Sequence, residues 1–158
     1  MKEVKGNLIT MALEGHFDVI THGCNCFCNM GAGIAPQIKK AFPDAWHADR
    51  ATHKGDIMKL GCYTEAHIEI NDRGWLAIIN SYTQYKYGSN HADGDKKPLD
   101  YDALTLCLRK INKNYKGKEI GLPWIGAGLA GGDWKRIKKI IQTELNTMNV
   151  VIVEYDGS

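Results

Sequence analysis

No apolar run in this 158-residue chain approaches the roughly 18 residues that a membrane-crossing helix requires. An excess of one charge is lacking as well. The chain has 20 Lys and Arg against 18 Asp and Glu, a net charge of +2 spread along its length. So small a surplus gives no electrostatic ground for expecting a nucleic-acid or membrane partner. No basic-then-apolar leader follows Met1, so the expected compartment is the cytoplasm. A disulfide framework is equally poorly provided for. The five cysteines Cys24, Cys26, Cys28, Cys62 and Cys107 are odd in number and three of them alternate, which suits reduced thiols. Repeats and low-complexity tracts are missing, and with this length a single domain over 1–158 is expected. Only 88–98 is polar enough to read as a long surface loop, and 91–97 within it as a lid or a plain loop.

The chain does have an ordinary share of apolar residues, 44%, enough for one sizeable core. Short strands are predicted near 2–4, at 18–22, at 62–70 and 75–81 around a turn at 71–74, at 119–122 and at 150–154. Helices are predicted at 33–42, ended by Pro43, then at 44–54, 100–112 and 133–145. The last of these turns Trp134, Ile137, Ile140, Ile141 and Leu145 inward and Lys135, Arg136, Lys138 and Lys139 outward. Strands alternating with helices indicate an α/β fold, a central mixed sheet with helices on both faces. Ligands in such folds bind beyond the carboxyl ends of the strands.

Two glycine-rich loops fall at such ends. One runs from His22 through Gly23, Asn25, Met30, Gly31, Ala32 and Gly33 into a helix at Ile34. The other runs from Pro123 through Ile125, Gly126, Ala127, Gly128 and Leu129 to Asp133. Glycines let backbone N–H groups approach a ligand, and a helix N-terminus favours an anion, so the pair would cradle a diphosphate. Neither loop is a dinucleotide fingerprint or a Gly-Lys-Ser/Thr phosphate loop.

The order Lys5-Gly6-Asn7-Leu8, Ile20-Thr21-His22-Gly23-Cys24-Asn25-Cys26, Met30-Gly31-Ala32-Gly33-Ile34-Ala35 and Pro123-Trp124-Ile125-Gly126-Ala127-Gly128-Leu129 resembles a macrodomain over essentially the whole chain. Two branches are the most similar. They are the ADP-ribose 1″-phosphate phosphatase, with its His-x-Cys-Asn-Cys segment, and the terminal ADP-ribose protein glycohydrolase, with its Met-Gly-Ala-Gly-Ile-Ala. The resemblance implies the three-layer macrodomain fold and ADP-ribose in the cleft. Asn7 stands where an aspartate usually reads the adenine amino group, and an amide can accept as well as donate. Leu8 would help through its backbone, Asn25 would contact the distal ribose, and Thr83 matches a ligand-side position. Met30, Gly31, Ala32, Gly33 and Ile34, with Ile125, Gly126, Ala127, Gly128 and Leu129, would clamp the diphosphate and distal ribose. The chain departs from the glycohydrolase branch where Gln84 stands near the nucleophilic lysine and Ala130 replaces an aspartate. Both departures argue against lysine-based removal of ADP-ribose from glutamate, and Lys86 could substitute only if its loop reshaped.

For chemistry, the resemblance makes His22 the phosphatase histidine, as nucleophile or proton exchanger, and Asp133, before Trp134 at a helix start, reads as a general acid or base opposite it. The plain alternatives are a hydrogen-bonded histidine closing a strand and an N-cap at the helix start. His22, Cys24, Cys26 and Cys28 lack the Cys-x-x-Cys pairs of structural zinc sites, so neither metal nor cofactor is expected. Trp124, Trp134 and Trp75 read as core, and Tyr155 either stacks on adenine or is simply exposed. The leading expectation is hydrolysis of ADP-ribose 1″-phosphate to ADP-ribose and phosphate. The rivals are a non-catalytic ADP-ribose reader and a hydrolase of ADP-ribosyl or acetyl esters. The expected partner is ADP-ribose or a derivative, ADP-ribosylated protein included, and neither nucleic acid nor membrane. On this reading His22→Ala abolishes turnover and spares ADP-ribose binding.

Overall fold

The computed structural model describes residues 1–87 and 98–158, so the expected lid at 91–97 lies outside the described residues. Six strands form one sheet. They are β1 (Lys2–Gly6), β2 (Val19–Cys24), β3 (Tyr63–Glu69), β4 (Trp75–Tyr82), β5 (Glu119–Leu122) and β6 (Asn149–Tyr155). Their order across the sheet is β1-β6-β5-β2-β4-β3. All neighbours are parallel except the β3–β4 hairpin at one edge, which makes the sheet mixed.

Helices cover both faces: α1 (Leu8–Leu13), α2 (Ala35–Ala41) and α3 (Pro43–Arg50) on one, α4 (Tyr101–Asn114) and α5 (Trp134–Glu144) on the other. The layering follows from strand alternation, which sends consecutive side chains to opposite faces. Val19, Ile79 and Ile152 pack with Leu104, Leu108, Ile111, Ile137 and Ile141 under α4 and α5. Their chain neighbours Ile20, Ile78 and Val153 pack with Leu8, Ala12, Ile38, Phe42 and Ala45 under α1 to α3. Strands covered on both faces read as apolar runs, which is why Val19-Ile20 and Val150 to Val153 were legible in the sequence.

Two elements escaped the sequence reading. The six-residue α1 is too short to show a helical period, although Asn7 caps it by accepting from the N–H groups of Ile9 and Thr10. A 3₁₀ turn at Ile57–Lys59, capped by Asp56, lies in a stretch without periodicity. Pro43 does more than end a helix. Phe42 closes α2 and Pro43 opens α3, in the first-turn position where a missing N–H costs nothing. The turn at 71–74 is formed by Asn71 and Gly74, both with positive φ. Among the described residues no helix is long and apolar enough to cross a membrane.

Leu108 is fully buried between α4 and the sheet. Replacing it by Ala should cost about 2–5 kcal/mol. Urea denaturation should show this as a lower midpoint at unchanged slope.

Candidate functional site

The carboxyl ends of β2, β5 and β6 lie side by side, and a cleft of about 830 Å³ opens beyond them. Its walls are the two glycine loops. From the first come Asn25, Met30, Gly31, Ala32, Gly33 and Ile34, and from the second Ile125, Gly126, Ala127, Gly128 and Leu129. Asn7 and Leu8 line it from the start of α1, and Val153 and Tyr155 from the end of β6. The volume falls within the range of small-molecule and nucleotide sites, about 300–1,000 Å³.

Hydrogen bonds inside the loops set their shape. Asn25 donates its amide to the carbonyl of Asn29 at 2.8 Å and accepts from the N–H of Phe27 at 2.9 Å. Asn29 in turn accepts from the N–H of Gly31 at 3.0 Å. Asn25 is therefore a brace for its own loop that retains one amide hydrogen and one lone pair for a ligand. In the second loop the N–H of Gly132 bonds to the carbonyl of Gly126 at 2.8 Å. A side chain at 132 would drive its Cβ to 2.8 Å from that same oxygen, so the loop needs glycine there. Among the described residues, the backbone N–H groups of Ala32, Gly33, Ile34, Gly126, Gly128 and Leu129 find no acceptor within the protein. Donors of this kind on both walls suit an anion.

The lining contains no Asp, Glu, Lys, Arg or His among the described residues. Its polar side chains are amides, two tyrosines and the Cys24 thiol. Burial pushes Cys24 well above the usual thiol range, with Asp49 as a further cause, and pushes Cys26 up to about 11. Neither is poised as a thiolate nucleophile. The cysteines also diverge, since Cys26 Sγ points to the carbonyl of Gln84 and Cys28 Sγ to that of Asp49.

Three expected site residues stand outside the lining. His22 is fully buried, and its Nε2 lies 2.8 Å from Asn80 Oδ1. Asn80 spends its amide nitrogen on the Ala45 carbonyl and Thr64 Oγ1, so its oxygen must accept, and His22 carries its proton on Nε2. Burial lowers the ring's pKa from 6.5 to about 4, against the raising effect of Asn80. The ring is held neutral with its Nε2–H committed to Asn80, and its Nδ1 lies 3.8 Å from Cys24 Sγ. In this arrangement His22 ties β2 to β4 through Asn80 and stands behind the residues that line the cleft.

Asp133 is exposed and caps α5, accepting from the N–H of Lys135 at 3.0 Å. Its side chain stands outside the residues that line the cleft. Thr83 is fully buried behind Gly23, where a Cβ at 23 would come within 2.8 Å of its Oγ1, so it supports the cleft floor without lining it. Asn7 does line the cleft, but its oxygen is already taken by the N–H groups of Ile9 and Thr10 at 3.0 and 3.1 Å. Its Nδ2 also donates to the Ser158 carbonyl at 3.0 Å. One N–H remains, which can donate to a ring nitrogen but cannot accept from an amino group.

The sequence reading missed Gln37, Tyr87 and Trp124 as lining residues. Helical phase could have suggested Gln37, in the first turn of α2, but nothing in the sequence distinguished the other two from surface and core positions.

Free N–H donors on two loops at the carboxyl edge of a parallel sheet define a class: an α/β domain that binds a nucleotide-like diphosphate. The comparisons make the class specific, because the profile of the Macro domain family matches residues 21–141 and the chain belongs to that family. An uncharacterized 17.5 kDa protein from the tk-vs intergenic region of Enterobacteria phage T4 is 35% identical over 163 residues, 99% of this chain and 97% of that protein. The DNA ADP-ribosyl glycohydrolase of Thermus aquaticus is 28% identical over 97% of this chain, which spans 40% of that protein's length. The ADP-ribose 1″-phosphate phosphatase of Saccharomyces cerevisiae is 23% identical over 96% of each chain. Among solved structures, Thermosipho africanus DarTG in complex with ADP-ribose superposes with a TM-score of 0.69 at 18% identity, over 98% of this chain and 41% of that one.

The depressed pKa of His22 has a stability consequence. The fold favours the neutral ring, so this contribution is complete above pH 6.5 and is lost as pH falls toward about 4. The loss is on the order of 3 kcal/mol. Denaturation midpoints of the wild type should fall across that window, whereas His22→Gln should start lower and show a flatter profile.

Proposed function

We propose that this chain binds ADP-ribose in the cleft and hydrolyses the substituent on its distal ribose, with ADP-ribose 1″-phosphate as substrate. The observation that carries this reading is the pair of glycine loops, whose unshared N–H groups line both walls of the cleft. In support, two relatives that span almost this whole chain are named for hydrolysis of ADP-ribose derivatives.

The chemistry follows from what the lining holds. Donors aimed at phosphoryl oxygens stabilise charge as it develops, and a bound, oriented substrate lowers the entropic barrier. No Asp, Glu, Lys, Arg or His lines the cleft among the described residues, and on this reading the phosphate's own oxygens take the proton of the attacking water. Water attacks phosphorus, the P–O bond to the ribose 1″ oxygen breaks, and that oxygen takes the proton given up by the water, so that ADP-ribose leaves with a 1″ hydroxyl and phosphate leaves with the water's oxygen. Gln84 lines the cleft and spends its amide on the Lys86 carbonyl at 2.8 Å, which supports a route without a lysine adduct.

A second reading is favoured by the same neutral lining: a reader that holds ADP-ribose, alone or on a protein, without turning it over. ³¹P NMR of ADP-ribose 1″-phosphate with catalytic protein separates the two. Growing inorganic phosphate is expected for the wild type, and His22→Gln should retain it in proportion to its folded fraction. Ligand shifts at stoichiometric protein without phosphate release would establish the reader, and the absence of both would overturn ADP-ribose binding altogether.

A further inference from the structure

Cys28 belongs to the first glycine loop, between Asn25 and Asn29 of the cleft wall, yet it is not part of the lining. Its φ is 54°, and its Sγ turns to the end of α3, 3.4 Å from the Asp49 carbonyl and 3.4 Å from Thr52 Oγ1. Lys59, the last residue of the 3₁₀ turn at Ile57–Lys59, reaches the same place. Its Nζ donates to Thr52 Oγ1 at 2.8 Å and lies 3.8 Å from Cys28 Sγ. Thr52 spends its own hydroxyl hydrogen on the Asp49 carbonyl at 2.6 Å, so its oxygen accepts from the lysine and holds the amine beside the sulfur.

A lysine in this setting is costly. Only 8% of Lys59 is exposed, and among the described residues no carboxylate lies within ion-pair distance of its Nζ. A buried cation without a counter-ion loses hydration that nothing nearby replaces in full. Cys28 itself is half-buried, so a small neutral reagent can reach it from solvent. The other thiols differ. Cys24, Cys26 and Cys107 are buried. Cys62 is exposed and takes Lys110 Nζ at 3.4 Å, but that ammonium stands at the surface and also donates to the Gly61 carbonyl at 2.8 Å. Of the five thiols, Cys28 combines solvent access with a buried, fixed amine.

We propose that Cys28 and Lys59 form an oxidative modification site, which takes a peroxide and closes a reversible sulfur–nitrogen bond. Hydrogen peroxide oxidises the Cys28 thiol by two electrons. Its O–O bond breaks, one oxygen joins sulfur as a sulfenic acid, and the other leaves as water with the thiol proton. Lys59, having released its ammonium proton to solvent, attacks the sulfur with its nitrogen lone pair. The S–O bond breaks, and hydroxide leaves as water with a proton from that nitrogen. The product is a sulfenamide at the same oxidation level as the sulfenic acid, so a thiol reductant returns both side chains. Without an amine in reach, further peroxide carries a sulfenic acid to sulfinic and sulfonic acids. The bond fastens the first glycine loop to the 3₁₀ turn, and it forms whatever the cleft holds.

Peroxide treatment of the purified protein, followed by tryptic digestion and mass spectrometry, tests the site. The peptide carrying Cys28 should be joined to the one carrying Lys59, lighter by two hydrogens than the separate pair. Cleavage after Lys59 should be lost, and dithiothreitol should restore it. Cys28→Ser and Lys59→Arg should each abolish the joined peptide, and in Lys59→Arg Cys28 should accumulate as the sulfinic acid instead. The wild-type map decides even where a variant fails to fold, because the joined peptide identifies both residues. Cys28 carried to sulfinic or sulfonic acid in the wild type with Lys59 still cleavable, or oxidation confined to Cys62, would overturn the site.

Discussion

The parallel pairing of β2 with β4 and β5, and of β5 with β6, controls where everything else falls. Parallel neighbours end at the same edge, so the segments after Cys24, Leu122 and Tyr155 all emerge beside one another. Both faces of these strands are covered, and the segments after β2 and β5 must turn away toward α2 and α4–α5 respectively. A gap opens between loops that leave in opposite directions, and that gap is the cleft. Had β2 paired antiparallel with β5, the two glycine loops would stand at opposite ends of the sheet.

Within the cleft, internal hydrogen bonding divides the backbone into parts already committed and parts still available. Asn25, Asn29 and the Gly132–Gly126 bond consume the groups that define loop shape. What remains, among the described residues, is a set of N–H donors on both walls with no charged side chain in the lining. Such a site recognises an anion by preorganised dipoles and needs no ion pair, so its electrostatics change little as side chains titrate.

Much of this was legible in the sequence. The apolar runs of the buried strands, the period of α4 and α5, and the Gly-x-Gly segments between strand and helix are local signals, and they specified the layered fold and both loops. Asp133 as an N-cap was equally local. The short α1 was not legible, because six residues hold less than two turns and leave no period to detect.

The sequence by itself thus determined which segments form strands, helices and glycine loops, because those choices rest on neighbours within a few residues. Tertiary structure decided which side chains reach the cleft. His22 and Gly23 are adjacent in the chain, yet alternation along β2 and the position of Asn80 on β4 bury the first completely and leave the second at the cleft. Asn7 has the composition of a base reader, but the first turn of α1 has already taken its oxygen. Trp124 reads as core, and only the meeting of the β5 end with the start of α5 leaves it exposed and stacked on Trp134. Exposure and free hydrogen-bonding capacity depend on partners many residues away, and no local pattern encodes them.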